Sequence, residues 1–317
     1  MTKILVTGAI GQIGSELVMA LRAKYGHDNV VASDMRKPES DEYNPFEVLN
    51  VLDKNGIAEI VKKHDIDVIY HLAAILSAAG EKNPNLCWDV NINGLYNILE
   101  VGRELKIKQI ICPSSIAAFG PETPRQNTPQ ETILLPKTMY GLTKVAGELL
   151  CDYYVQKFNL DVRGLRYPGL ISNKTLPGGG TTDYAVEIFY EAIKHKKYTC
   201  FLRENTVLPM MYMPDAIRGT ISLAEAPLAS LKHHSNFNFA GISFSAGELA
   251  AAIKKYIPDF VVEYVPDFRQ KIADSWPESI DDSSSRNEWG WKPSYDLDLM
   301  VKDMLDVLGE KHKKGKL

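Results

Sequence analysis

The sequence predicts an α/β fold built on a doubly wound parallel sheet, with a smaller α/β lobe towards the C-terminus. Three observations lead there. Short apolar runs alternate with helical patterns through the first half, the rhythm of successive βα units. The first run, residues 3–7, meets glycines at Gly8, Gly11 and Gly14, and an amphipathic pattern starts at once. A second run, residues 29–34, ends in an acid, Asp34. Strand, glycine turn, helix and acidic strand end are the parts of a Rossmann-type dinucleotide-binding unit.

Taken in order, Ile13, Leu17, Ala20 and Leu21 mark the apolar stripe of the first helix. Residues 46–49 read as a short third strand, 57–63 as a short helix and 67–74 as a fourth strand running into small residues. A long helix is expected over about 83–105, with Trp88, Ile92, Leu95, Ile98, Leu99 and Leu105 on one face. Residues 109–112 return to the sheet and end at Pro113-Ser114-Ser115. Pro121, just before it, and Pro124, Pro129 and Pro136 within it make 122–139 a loop, a second long helix spans about 140–158, and 161–167 is again a strand. Beyond Pro168 glycines and prolines divide shorter elements. Residues 1–168 are therefore assigned to the nucleotide-binding domain. Residues 169–317 are assigned mainly to the second lobe, some of them returning to the first.

Composition excludes several classes. At 45% hydrophobic and 24% charged residues the chain reads as an ordinary globular protein. A net charge of -4 gives no reason to expect nucleic acid, and the basic stretch 311–316 reads as a solvated tail. The four cysteines are far apart and form no CxxC pair. Neither a zinc site nor a disulfide framework is expected. No apolar run reaches the roughly 18 residues of a membrane span. With a strand at the N-terminus, no signal peptide is expected. A cytoplasmic protein follows, or one of an organelle matrix whose presequence has been removed.

The glycine turn alone marks a nucleotide site or a structural turn. Asp34 favours the first, because an acid at that strand end accepts hydrogen bonds from ribose hydroxyls and repels a 2′-phosphate. That points to NAD rather than NADP, with the nearby Arg36 as a complication. A second constellation is Tyr140 and Lys144, one helical turn apart. A phenol is a weak base at neutral pH, but an adjacent ammonium and a cationic nicotinamide both favour its phenolate. Ser115 lies twenty-five residues upstream at a strand end, where its hydroxyl can hold a substrate oxygen against Tyr140. These three groups suit carbonyl–alcohol interconversion.

At this point the chain resembles the extended, epimerase-like short-chain dehydrogenase/reductase superfamily. The match runs from Gly8-Ala9-Ile10-Gly11-Gln12-Ile13-Gly14 and Asp34 through His71-Leu72-Ala73-Ala74 and Asn91-Ile92-Asn93-Gly94. It continues over 113–120 and Tyr140-Gly141-Leu142-Thr143-Lys144 to Arg166-Tyr167-Pro168-Gly169. The resemblance implies Tyr140 as the acid/base, Lys144 as its orienting partner on the nicotinamide ribose, and Ser115 on the substrate hydroxyl. It places Gly8, Gly11, Gln12, Ile13, Gly14, Asp34, Arg36, Asn50, Val51, Leu72, Ala73, Ala74, Asn91, Tyr140, Lys144 and Tyr167 around NAD. Asn50 departs from the aspartate that many members carry near the adenine.

Four further stretches, 75–81, 176–186, 208–216 and 275–281, resemble the short-chain L-threonine 3-dehydrogenase family. That resemblance implies oxidation of L-threonine at its β-carbon to 2-amino-3-oxobutanoate, with hydride passing to NAD and no metal. Ser77, Ser115, Tyr140, Gly180, Thr181, Thr182, Asp183 and Trp276 would then contact the substrate. Backbone N–H groups and threonine hydroxyls at a helix N-terminus suit a carboxylate, and Asp183 can compensate an ammonium. Read from the residues alone, Thr181, Thr182 and Asp183 serve equally as helix caps. A nucleotide-sugar epimerase or dehydratase is the enzymatic alternative, with Arg203, Arg218 and Arg269 available for a diphosphate. A dinucleotide-sensing regulator is the non-enzymatic one, opposed by the intact tyrosine–lysine pair. Apolar residues lie on more than one face of the two long helices, Leu149, Leu150, Tyr153 and Tyr154 among them, and the resemblance implies a homodimer in which these helices pair into a four-helix interface.

Overall fold

The structure is a computed structural model describing residues 2–176, 178 and 180–317. Pro177 and Gly179, within the predicted substrate loop, lie outside the described residues.

The chain begins with β1 (Ile4–Thr7), α1 (Gln12–Tyr25), β2 (Val30–Asp34), β3 (Phe46–Val48), α2 (Lys54–Lys63) and β4 (Val68–His71). Next come α3 (Ser77–Lys82), α4 (Pro84–Trp88), a π-helical turn (Asp89–Asn93) and α5 (Gly94–Glu104). Then follow β5 (Gln109–Ile111), β6 (Ser114–Ser115), α6 (Met139–Phe158), β7 (Val162–Arg163), β8 (Leu165–Tyr167) and β9 (Gly169–Ile171). The second half holds α7 (Tyr184–His195), β10 (Lys197–Cys200), β11 (Val207–Tyr212), α8 (Met213–Glu225), β12 (Phe237–Asn238) and β13 (Ile242–Ser245). It closes with α9 (Ala246–Lys254), β14 (Val261–Tyr264), α10 (Arg269–Asp274), α11 (Ser283–Trp289) and α12 (Leu297–Lys313).

Six parallel strands form the main sheet in the order β3-β2-β1-β4-β5-β7. The order turns around between β1 and β4, which opens a crevice at their carboxyl ends, where open α/β sheets bind ligands. β1 is wholly buried because helices cover both faces of the sheet. One face packs α2, α5 and α6 through Ile57, Leu95, Ile98, Leu99 and Cys151. The other packs α1 and α8 through Leu17, Val18, Ala216 and Ile217, so a helix of the second half covers the first sheet. A third cluster joins α7, α9 and α12 to β11.

Several elements differ from the expected ones, for local reasons. Residues 109–115 and 161–167 each divide between two sheets, because β6 and β8 leave the main sheet to form β12-β8-β6. Pro113 has no N–H to continue the first ladder, and the Gly164 N–H turns to His234 O (2.9 Å). The helix expected over 83–105 is broken into α4, the π turn and α5. Its predecessor α3 occupies a stretch to which the sequence assigns no element, and α2 starts earlier than expected, at an Asp53 cap that accepts from Gly56 N–H (3.0 Å). Among the described residues no helix is long and apolar enough to cross a membrane. None of their His, Cys, Asp and Glu side chains form a group of three able to hold a metal ion.

Candidate active site

The glycine turn is compact only without side chains. Gly8 has φ +69°, and a Cβ on Gly14 would lie 2.2 Å from Gly8 O, far inside contact distance. The Gly11 N–H closes the turn on Gly8 O at 3.1 Å. α1 then starts with no side-chain cap and no acid in its first turn, leaving free N–H groups and the positive end of the helix dipole. Gln12 adds a buried Nε2 without a protein partner. Orphaned donors at a helix N-terminus fit a pyrophosphate.

Asp34 closes β2, its side chain 14% exposed, and its Oδ1 accepts from Arg36 N–H at 3.2 Å. The Arg36 side chain is 74% exposed, with Nε 4.0 Å from Oδ1. Asn50 Oδ1 accepts from Leu52 N–H (3.0 Å), and the buried Val51 takes Asn97 Nδ2–H on its carbonyl (3.1 Å). These residues and the three glycines sit apart from the enclosed part of the crevice, a cavity of about 170 Å³. The cavity brings together Gln12, Ile13, Leu72, Ala73, Ala74, Ser77, Asn91, Ser115, Tyr140, Lys144, Tyr167, Gly180, Thr181, Thr182, Asp183 and Trp276.

Tyr140 and Lys144 occupy the first turns of α6, capped by Thr138, whose Oγ1 accepts from Gly141 N–H at 3.0 Å. Gly141 lets the helix close on the Ser115 turn: a Cβ there would lie 2.2 Å from Ala117 O. Ser115 Oγ in turn accepts from Ala117 N–H (3.2 Å). Lys144 Nζ donates to Pro113 O at 2.9 Å and lies 5.4 Å from the centre of the Tyr140 ring. The i, i+4 pair therefore stands between the Ser115 turn and the end of β5.

Asn91 sits in the π turn, a departure from α-helical geometry that often marks a functional position. Its Oδ1 accepts from Ile75 N–H (2.8 Å), and its Nδ2 donates to Ile75 O and Thr143 Oγ1, both at 3.0 Å. Asn91 thus clamps the segment leading to Ser77 against α6, so its amide serves the cavity wall. Tyr167 likewise lends only its ring, since its hydroxyl bonds Thr220 Oγ1.

On the opposite wall, α7 begins at Tyr184 after Asp183 and carries no side-chain cap. Capping therefore does not account for Thr181, Thr182 and Asp183. Asp183 turns back to accept from Gly180 N–H (2.5 Å), and Thr181 Oγ1 is buried with no protein partner. Ser77 and Trp276 are buried and also line the cavity.

Two features escaped sequence reasoning. His71 is buried on the cavity wall, its Nδ1 2.8 Å from Thr7 Oγ1. Burial, then the charge of Lys144, pushes its pKa down to about 3, so the imidazole is neutral and the cation facing the cavity is Lys144. Glu148, one turn beyond Lys144, is 4% exposed and pairs with Arg166, 2% exposed, through bonds of 2.9 and 2.7 Å. Glu148 also accepts from Ser114 Oγ (2.5 Å), and Arg166 donates to Gln130 O and Asn238 Oδ1, both 3.1 Å. The signal was present: Tyr140, Lys144 and Glu148 follow at steps of four along α6.

The arginines considered for a sugar diphosphate are committed elsewhere. Arg203 pairs with Asp274 (2.5 Å), Arg218 with Asp215 (2.7 Å) and Arg269 with Asp267 (2.6 Å), and none lines the cavity.

A glycine turn on an uncapped helix, an acidic strand end, and a serine, tyrosine and lysine around one cavity define a dinucleotide-dependent enzyme of alcohol–carbonyl chemistry. The chain belongs to the NAD dependent epimerase/dehydratase family, which it matches over residues 4–240. It is 50% identical over 317 residues to an uncharacterized epimerase/dehydratase of Staphylococcus saprophyticus, covering 99% of each chain. Among solved structures it is similar to L-threonine dehydrogenase from Clostridium difficile, at 56% identity and a TM-score of 0.96 over 98% of each chain. A monomeric L-threonine 3-dehydrogenase from a metagenome is 53% identical, with a TM-score of 0.94 over 97% of this chain and 99% of that one.

Proposed function

We propose that the protein is an NAD-dependent L-threonine 3-dehydrogenase, which oxidises the β-carbon hydroxyl to give 2-amino-3-oxobutanoate. The observation that carries this reading is the cavity itself: five hydroxyl-bearing residues, Ser77, Ser115, Tyr140, Thr181 and Thr182, line one small space together with Asp183. The activities named for the similar structures support it. Lys144 as the cavity's cation, with Arg203, Arg218 and Arg269 already paired, leaves little to hold a sugar diphosphate.

In this mechanism Thr181 and Thr182 donate to the substrate carboxylate and Asp183 offsets its ammonium, while Ser77 and Trp276 close the far wall. Ser115 hydrogen-bonds the β-hydroxyl and Tyr140 removes its proton. Lys144, anchored on Pro113 O, keeps a positive charge beside the phenol. NAD, when bound, supplies the hydride acceptor. Gly8, Gly11, Gln12, Ile13 and Gly14 would hold its pyrophosphate and Asp34 its adenosine ribose, with Arg36, Asn50 and Val51 nearby. Leu72, Ala73, Ala74, Asn91, Lys144 and Tyr167 would surround the nicotinamide end. Fixing both ends of the substrate against these groups before transfer supplies much of the rate enhancement. Residues 1–168 carry the cofactor and most of 169–317 the substrate wall, with α8 and β12 returning to the first part.

Thr181→Val tests the carboxylate site. Loss of one donor to a charged group raises KM for L-threonine by roughly 10- to 100-fold and leaves KM for NAD unchanged. Unchanged affinity for threonine would remove Thr181 from the site.

We also propose a homodimer through α4, α5 and α6. Leu149, 66% exposed, and Tyr153 lie outward on α6, with Leu86, Trp88 and Tyr96 exposed on the adjoining elements. Tyr154 does not join this face; it is buried and donates to Glu100 (2.6 Å). One similar protein is described as monomeric, so the state needs its own measurement. Light scattering should give twice 35.4 kDa, reduced to the single mass by Leu149→Lys; a wild-type monomer would end this proposal.

A further inference from the structure

Residues 172–175 follow β9 and precede Gly180 and Thr181 of the cavity wall. They are fastened on two sides. Towards the cofactor helix, Ser172 Oγ donates to Glu16 Oε1 at 2.6 Å, Lys174 Nζ lies 3.4 Å from Glu16 Oε2, and the Ser15 and Thr175 hydroxyls are 3.1 Å apart. Towards α12, Lys311 Nζ donates to Asn173 O and Asn173 Nδ2 to Tyr212 Oη, both at 2.6 Å. Tyr212 Oη in turn donates to Asp303 at 2.5 Å. Ser172 Oγ also accepts from Lys174 N–H (3.0 Å), which folds the segment into a turn.

Neither Ser15 nor Glu16 has a part in the proposed chemistry, yet both stand directly behind the donors assigned to the pyrophosphate. Glu16 lies one turn beyond Gln12, on the same face of α1. The Ser15 N–H is bonded to Gly11 O at 3.0 Å. Glu16 is 9% exposed and Ser172 is wholly buried. A carboxylate withdrawn from water is costly unless it is hydrogen-bonded and paired. For Glu16 the hydrogen bond and the ion pair both come from 172–175. Packing of α1 on the sheet is done by Leu17, Val18 and Leu21 instead.

We propose that Glu16, with Ser15 and Ser172, acts as a positioning residue that locks the substrate wall to the cofactor helix, so that the bound dinucleotide prepares the site for L-threonine. The identity of that substrate rests on the dehydrogenase reading. A pyrophosphate held at the N-terminus of α1 fixes its first turn. Ser15 and Glu16 pass the constraint to 172–175, and the chain carries it on to Thr181. The contacts with Tyr212 and α12 support the segment from the far side. A wall ordered in advance lowers the cost of binding threonine. By linkage, threonine must then tighten the dinucleotide by the same factor.

NADH and L-threonine are both reduced and do not react, so together they form an abortive complex in which the coupling is measured at equilibrium. NADH is titrated by fluorescence with and without saturating L-threonine, and hydrogen exchange over residues 180–186 is followed with and without NADH. In the wild type, L-threonine tightens NADH by roughly tenfold, within the usual range of coupling between sites, and NADH alone slows the exchange. Glu16→Ala binds NADH alone like the wild type but loses both effects. Ser172→Ala, which leaves α1 untouched, does the same and serves as the test if the first variant fails to fold. Glu16→Gln keeps an oxygen for the Ser172 hydroxyl and restores most of the coupling. Exchange that NADH leaves unchanged in the wild type overturns the proposal, and so does full coupling in either alanine variant. Equal weakening of NADH by Glu16→Ala with and without threonine, the mark of a purely structural role, overturns it too, as does threonine that is oxidised yet leaves NADH affinity unaltered. If NADH slows the exchange but L-threonine neither tightens NADH nor is oxidised, the dehydrogenase reading fails and the lock stands.

Discussion

Tyr140→Phe lowers kcat for threonine oxidation by roughly 10²- to 10⁴-fold, the range for loss of a general base, with little change in NAD affinity. The substitution removes one oxygen and keeps the ring. Tyr140 is almost wholly buried among Ile116, Ala117 and Phe119, so the apolar contacts that hold the start of α6 survive. The Ser115 turn and the Lys144 anchor on Pro113 O do not involve the phenolic oxygen. What disappears is the group proposed to accept the hydroxyl proton as hydride leaves the β-carbon. Steady-state rates with titration of NAD separate the two effects. A Phe variant turning over at a rate comparable to wild type would show that the proton leaves by another route.

Glu148→Ala gives the largest expected loss of stability, about 3–5 kcal/mol, because breaking a buried ion pair strands the remaining charge. Arg166 would keep its bonds to Gln130 O and Asn238 Oδ1 but lose both carboxylate contacts in a site that water scarcely reaches. Ser114 would lose its acceptor as well. The pair joins α6 to β8, and Arg166 extends it through Asn238 to the Thr128 and Asp281 carbonyls (3.1 and 3.0 Å). One residue thus ties α6 to β8, β12 and the segments around Thr128 and Asp281. A fall in melting temperature on the order of 10 °C is the expected reading, measured with circular dichroism. A melting curve identical to wild type would mean that the charge of Arg166 finds compensation elsewhere.

How much of this was legible beforehand follows from how local each feature is. The glycine turn, the Asp34 strand end and the Tyr140–Lys144 pair are written at short spacing, where period and backbone geometry decide the structure. They emerge where expected, around the crevice at the carboxyl ends of β1 and β4. The division of residues 109–115 and 161–167 between two sheets was not legible. It depends on the Gly164 N–H meeting His234, which is distant in sequence. The π turn at Asn91 was hidden for a similar reason: an apolar stripe looks helical whether or not the backbone inserts an extra residue. Glu148 with Arg166 is a tertiary pair whose partners lie on different elements. The threonine loop was ambiguous because Thr and Asp are good caps and good ligands alike. Only the absence of a cap on α7 and the unpartnered Thr181 hydroxyl separate the two readings.

The central claim is that this cavity oxidises an amino-acid alcohol at the expense of NAD. It is tested most directly by following NADH absorbance with L-threonine as substrate, beside parallel reactions with NADP and with a panel of UDP-sugars. The account predicts NADH formation that depends on L-threonine, weak or absent reduction of NADP because of Asp34, and no conversion of the sugars. No threonine-dependent NADH, together with turnover of a UDP-sugar, would contradict it.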